Sequence, residues 1–198
     1  LLLVIEHVEG LGGLKNHHLA STNLKTLGNV NMRPEVATRV NHMLGFYPEH
    51  RKLYDDMIAV DELPTPILYS DFDFQIIHLT AIDRAITSIR KLEAEKSIRF
   101  ETIGTLNFVN PFPWLLDRRA PRAIAIGADP FRTVPEPGSA EAEAMAGADL
   151  MLYPTCPPTT ANAALFKLYE PALVNHRRIK LDACYDAFVN AKFDDALK

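Results

Sequence analysis

Short apolar runs alternating with helical segments are the feature that most constrains the fold of this chain. Three runs are typical of buried strands: LLLVI at the start of residues 1–8, AIAIG at 123–127 and ADLMLY at 148–153. Parallel strands need long crossover connections, usually helices, which then cover the sheet. The alternation therefore predicts an α/β fold with a mostly parallel, Rossmann-like sheet and helices on both faces.

The other segments are assigned by periodicity and breakers. Residues 34–60 predict an α-helical insertion, with Gly45 as a break and Pro48 as the start of a second helix. Further helices are expected at 75–97, 139–147, 159–173 and 178–193, and a further strand at 98–108. The 198 residues fit a single α/β domain, 1–198, with 34–60 as a helical subdomain.

The first predicted strand ends in HVEGLGG, where glycines permit a tight turn towards a helix. Amides of such a turn, together with the helix start, can bind a phosphate. We therefore expect phosphate binding at Gly10, Gly12 and Gly13, although a plain strand-to-helix turn is the alternative. His7 stands beside this loop and is a candidate general base or phosphate partner.

The opening stretch LLLVIEHVEGLGGLKNHHLASTNLKTLGNVNM resembles the first domain of glycosyltransferases built from two Rossmann-like domains. The apolar strand, the Gly-rich loop (Gly10, Gly12, Gly13), the leucine-spaced helix and Gly28 at its end carry this resemblance. It implies a nucleotide-activated sugar donor, with the loop near the donor's phosphates or near the acceptor. The paired glutamates and Gly-rich helix start of that family's second domain are not found in the chain.

Two further strand ends carry polar residues, and ligands of open α/β sheets bind beyond such ends. Asp129 follows the predicted strand 123–127, with Arg132 close behind, and is a second candidate base unless it only opens a turn. Thr155, Thr159 and Thr160 follow the strand 148–153 and precede a helix, which suits an anion or a simple N-cap. Cys156 in the same loop is a possible nucleophile, or else a buried side chain.

The segment PILYSDFDFQII (66–77) contains Asp71 and Asp73, which suggests a divalent metal site for Mn or Mg at a strand end. The competing interpretation is the acidic first turn of a helix with Ser70 as its N-cap. An apolar stripe with steps of three and four favours the helix: Phe72, Ile76, Leu79, Ile82, Ile86 and Ile89. The metal site is kept as the alternative.

Charge and composition limit the partners. A net charge of −4 gives no reason to expect nucleic acid, whose binding usually needs a basic face. Two cysteines make no disulfide framework, so a reducing, cytoplasmic setting is expected. Residues 108–122 combine aromatic side chains with arginines, which suits peripheral membrane contact, acceptor binding or a loop folded over the core with Trp114 as a plug.

These patterns predict a transferase that moves a sugar from a nucleotide-activated donor to the hydroxyl of a small or glycan acceptor. A base would deprotonate the acceptor while amides stabilise the leaving diphosphate. One alternative is a non-catalytic Rossmann-like subunit that binds a ligand or partner, since no complete catalytic constellation is present. Another is a hydrolase that uses Cys156 or Asp129.

Overall fold

The computed structural model describes residues 34–63, 72–122 and 140–198. In these ranges the helices are α1 (Pro34–Glu49), α2 (Arg51–Ala59), α3 (Phe72–Lys96), α4 (Phe112–Leu116), α5 (Ala140–Ala146) and α6 (Thr160–Tyr169). The strands are β1 (Ile103–Thr105), β2 (Leu150–Pro154), β3 (His176–Lys180) and β4 (Tyr185–Asn190). The 3₁₀ turns Glu170–Leu173 and Ala191–Phe193 follow α6 and β4. The strands predicted at 1–8 and 123–127 lie outside the described residues.

The described strands form one mixed sheet in the order β1-β2-β4-β3. β1 pairs with β2 in parallel, whereas β2 with β4 and β3 with β4 are antiparallel. The fold is therefore mixed α/β. A mostly parallel sheet was expected, but in this part of the chain only the β1–β2 pair is parallel.

The helix predicted at 178–193 is wrong, because this segment forms the hairpin of β3 and β4. Its turn is held by Asp182, whose Oδ1 accepts hydrogen bonds from the amides of Cys184 (2.7 Å) and Tyr185 (2.9 Å). β4 is buried on both faces over its first five residues. A strand buried on both faces shows no polar–apolar alternation, so its sequence does not distinguish it from a helix.

Other boundaries also differ from the prediction. Residues 34–60 are helical as expected, but Gly45 lies inside α1, where a Cβ atom would meet nothing within 4 Å. Pro48 stands in the last turn of α1, and the second helix begins at Arg51. The strand expected at 98–108 is confined to Ile103–Thr105. The helices predicted near 140, 160 and 75 are confirmed as α5, α6 and α3.

Apolar side chains fill both faces of the sheet. One face packs on α1, α3 and α4, and the other on α5 and α6. The sheet residues of the first face include Leu150, Leu152, Ala187 and Val189, and those of the second include Met151, Tyr153 and Phe188. The α3 stripe is buried at Ile76, Ile82, Ile86 and Ile89, whereas Leu79 is 39% exposed. The helix interpretation of 72–96 is thus confirmed.

Candidate functional site

The carboxyl ends of β1 and β2 define the edge where ligands of parallel strands bind. The chain leaves β2 at Pro154 and enters α6 at Thr160. We call residues 155–160 the rim. The amide of Thr155 donates to the carbonyl of Cys184 (2.7 Å), so the rim is joined to the start of β4.

The structure describes all three predicted threonines. Thr159 is the N-cap of α6, and its Oγ1 accepts a hydrogen bond from the amide of Asn162 (3.1 Å). Thr160 is the first helical residue, where the helix itself offers no acceptor for the amide. The Oγ1 of Thr155 is buried and has no hydrogen-bond partner in the described part of the chain. The rim is therefore both an ordinary helix cap and a polar edge with unused hydrogen-bonding groups.

Cys156 of the rim is joined to Cys184 in a disulfide. This pairing contradicts the expectation of free, reduced cysteines. A nucleophilic role requires a free thiolate, so the Cys156 nucleophile is wrong for this structure.

Next to the rim, two arginines converge on one buried carboxylate. Arg51 of α2 donates to both oxygens of Asp186 on β4, Nη1 to Oδ1 at 2.9 Å and Nη2 to Oδ2 at 2.6 Å. Arg178 of β3 donates to Oδ2 through Nε (3.0 Å) and Nη2 (2.6 Å). We call Arg51, Arg178 and Asp186 the arginine corner. Asp186 pairs with Tyr153, two residues before the rim begins.

The three residues of the arginine corner carry two positive charges and one negative charge, and the nearby Asp55 balances the excess positive charge. Burial by itself raises the pKa of Asp186, but the hydrogen bonds and charges of Arg51 and Arg178 outweigh it, so this pKa lies below its ordinary value. The side chain of Asp186 is only 6% exposed, whereas those of Arg51 and Arg178 are 26% and 46% exposed. Asp55 contributes a further carboxylate, 3.5 Å from Nε of Arg51 and itself 57% exposed.

Aromatic rings support the corner from α6 and the sheet. The guanidinium carbon of Arg178 lies 5.5 Å from the ring centre of Phe166 and 5.4 Å from that of Phe188. Phe166 also packs on Tyr153, with ring centres 5.1 Å apart. Burial, with a contribution from Asp55, raises the pKa of Tyr153 to about 12, so its hydroxyl stays protonated at neutral pH. These contacts hold Arg178 in a fixed position beside the helix that starts at the rim.

Sequence reasoning missed the arginine corner for a physical reason. Arg51 and Asp186 are 135 positions apart, and 178–193 was expected to be a helix. If this segment were a helix, Arg178 and Asp186 would not be brought together by the pairing of two strands. The basic run around Arg178 was the available signal, and it reads equally well as a solvated helix end.

The remaining predicted site residues lie elsewhere. His7, Gly10, Gly12, Gly13, Asp71, Asp129 and Arg132 lie outside the described residues. Asp73 is in the first turn of α3, and only its backbone is described. Among the described side chains, no three His, Cys, Asp or Glu residues are grouped so as to hold a metal ion. The metal site stays a prediction.

The segment 108–122 is partly core and partly surface. Phe112 and Leu116 of α4 are buried, whereas Phe108 and Trp114 are 54% and 56% exposed. Trp114 is therefore not the plug that one interpretation predicted. Arg118 forms a partly buried ion pair with Glu93 of α3 (3.1 Å).

No helix of the described ranges is both long enough and apolar enough to cross a bilayer. No protein-family model matches the chain, and no curated protein or solved structure is significantly similar to it.

Proposed function

We propose that the chain transfers a sugar from a nucleotide-activated donor to an acceptor hydroxyl, with the donor's diphosphate at the rim and the arginine corner. The observation that carries the proposal is that Arg51 and Arg178 meet on Asp186, which pairs with Tyr153 near the carboxyl end of β2, while Arg178 also lies over Phe166 of α6. Arginine donors and helix amides are the groups that bind phosphate oxygens. As part of this proposal, we infer that the complete sheet has a Rossmann-like arrangement.

Asp186 orients the arginines and leaves donors for a ligand. It accepts from two of the five N–H groups of each guanidinium. The amides at the first turn of α6 add the positive end of the helix dipole. The corner and the helix start together stabilise a diphosphate better than either does alone.

In the reaction, the acceptor oxygen bonds to the anomeric carbon and the bond from this carbon to the diphosphate oxygen breaks. The charge that develops on the leaving diphosphate is stabilised by Arg51, Arg178 and the helix amides. The acceptor proton passes to a general base, for which His7 and Asp129 are the candidates. Mn or Mg at Asp71 and Asp73 would add a second cationic contact to the diphosphate.

A thermal-stability screen tests the binding half of the proposal. The melting temperature is measured with UDP, GDP, ADP and their glucose conjugates, each with and without manganese. At a concentration of 100 times Kd, a ligand adds about 2.7 kcal/mol, which raises the melting temperature of a domain this size by roughly 5–10 °C. No shift with any compound would contradict the proposal. A shift without turnover would support the non-catalytic ligand-binding subunit instead.

A second proposal is peripheral contact with a membrane through 108–122. Phe108, Val109 and Trp114 are exposed apolar side chains within seven positions of the chain, and the exposed Arg119 and Arg122 follow them. Such a set suits an anionic lipid surface, with aromatic rings among the headgroups and arginines on the phosphates.

Trp114 is the only tryptophan, so its fluorescence reports on this contact directly. Phosphatidylglycerol vesicles are expected to shift its emission to shorter wavelength, whereas phosphatidylcholine vesicles should have little effect. Replacing Phe108 with serine should weaken the response. An unchanged spectrum with both vesicles would contradict membrane contact.

A further inference from the structure

A cavity of about 350 Å³ lies between α3 and the turn of the β3–β4 hairpin. Its wall contains Asp83, Arg84, Thr87 and Ser88 of α3, and residues 182–184 of the turn. α3 packs on the first face of the sheet, whereas the arginine corner belongs to the second. The cavity is therefore separate from the arginine corner, although both lie towards the edge of the sheet where β2 ends and the β3–β4 hairpin turns.

The disulfide connects the cavity to the rim. Cys184 lines the cavity, and its partner Cys156 belongs to the rim. The carbonyl of Cys184 also accepts the amide of Thr155. The disulfide therefore fixes this wall of the cavity relative to the rim.

The side chains that line the cavity include both hydrogen-bond donors and hydrogen-bond acceptors. Asp83 and Asp182 supply acceptors, Arg84 supplies donors, and the hydroxyls of Thr87 and Ser88 supply both. Arg84 is held by a hydrogen bond from its Nη2 to Oδ1 of Asn41 on α1 (3.1 Å). A mixed set of this kind matches hydroxyl groups, each of which donates and accepts.

Asp182 is the most constrained member of the wall. Its Oδ1 is fixed by two backbone amides of the turn, whereas Oδ2 is buried and lacks a hydrogen-bond partner among the described residues. Burial raises the pKa of this carboxyl, although the turn amides, the charge of Arg84 and the nearby Ser88 hydroxyl oppose the rise. Ser88 lowers the pKa without forming a hydrogen bond of good geometry to Oδ2.

Charge narrows the class of ligand. Two carboxyls disfavour a phosphate or carboxylate in the cavity, and Arg84 offsets one of them, which reduces the attraction of the wall for an ammonium group. The volume is at the small end of the range for ligand pockets, which begins near 300 Å³. These properties fit a neutral ligand with several hydroxyls and the size of one sugar ring.

We propose that this cavity binds a neutral, polyhydroxylated acceptor of monosaccharide size. Its assignment as the acceptor site rests on the proposed transfer function, but the binding itself does not. The hydroxyls of Thr87 and Ser88 contact the ligand, Asp182 holds the turn that forms the facing wall, and the nucleotide lies at the rim.

Saturation-transfer NMR and calorimetry with glucose, galactose, mannose and myo-inositol, without nucleotide, test the proposal. At least one of them is expected to bind, and Thr87→Val should weaken that binding about three- to tenfold through loss of a hydrogen bond. Thr80→Val is the matched control, because Thr80 is on the same helix and its hydroxyl bonds to the carbonyl of Ile76. Asp182→Asn weakens the two amide contacts that hold the turn and should therefore also weaken binding, and circular dichroism verifies that each variant is folded.

The outcomes separate this inference from the function above. Nucleotide binding without binding of any sugar or polyol would overturn the inference and leave the nucleotide site standing. Sugar binding that Thr87→Val weakens, with no nucleotide binding, would support the cavity and contradict the transferase. Equal effects of Thr87→Val and Thr80→Val, or displacement of the sugar by inorganic phosphate or by methylamine, would overturn the assigned ligand class.

Discussion

Replacing Arg51 with glutamine is expected to loosen α2 from the rest of the protein. No residue of α2 is fully buried, so this helix gains little from apolar burial. Among the described residues, the strongest contact between α2 and the sheet is the bidentate hydrogen bonding of Arg51 to Asp186. Without Arg51, Oδ1 of Asp186 loses its guanidinium donor, whereas Oδ2 keeps Arg178.

The loss of stability in Arg51→Gln is estimated from the burial of Asp186 and from the number of hydrogen bonds that Arg51 donates to it. A hydrogen bond to a charged group contributes about 1.5–3 kcal/mol, and breaking a buried ion pair costs about 3–5 kcal/mol. Arg51 is 26% exposed and Asp186 retains a second arginine, so both figures must be reduced for solvent screening. We expect a loss of about 2 kcal/mol, which corresponds to a roughly 30-fold rise in the population with α2 open.

Hydrogen exchange of the α2 amides measures this opening. In Arg51→Gln they should exchange roughly 30-fold faster, while those of β2 and β4 change less. Lys52→Gln is the matched control on the same helix, because the side chain of Lys52 is 87% exposed and pairs with the exposed Asp56 instead of the sheet. If Arg51→Gln leaves exchange in α2 unchanged, or if Lys52→Gln has the same effect, the arginine corner does not anchor α2.

Three further predictions concern stability. The folded-state pKa of Asp182 is raised above its ordinary 3.8, so wild-type stability should fall as pH rises from 3.8 through the folded value. Urea unfolding at several pH values should show that stability falls less in Asp182→Asn than in the wild type, and an equal fall in both would contradict this role of Asp182. Gly104→Ala should cost about 1–3 kcal/mol by urea unfolding, because the new Cβ would lie 2.8 Å from Cε of the buried Met151; full stability would refute that crowding. Thr159→Ala should cost about 1 kcal/mol through loss of the α6 cap, and an unchanged thermal midpoint would show that the cap is dispensable.

The helices were the most predictable part of this fold. The stripe of α3 repeats every three or four residues and is buried at Ile76, Ile82, Ile86 and Ile89. Such a stripe is a local property of the sequence, and it also identifies Asp73 as a first-turn residue. The N-cap role of Thr159 was predictable for the same reason, since a cap depends on the next three residues.

The hairpin and the arginine corner were not predictable in this way. β4 packs Ala187 and Val189 on one face and Phe188 on the other, so its pattern has no period of two. The approach of Arg51 to Asp186 depends on how α2 meets the sheet, which is a tertiary contact without a local signal. The disulfide between Cys156 and Cys184 likewise depends on the rim lying beside the hairpin turn.

The central claim is that the arginine corner binds the phosphates of a nucleotide. Its most direct test is a calorimetric Kd for the nucleotide that gives the largest thermal shift, measured with Arg178→Met and with Arg177→Met. Arg177 is the matched control, because it is the preceding, exposed residue of β3 and strand alternation places it on the opposite face. We expect Arg178→Met to weaken binding about tenfold or more, with Arg177→Met close to wild type. Equal affinities of the two variants would contradict the claim.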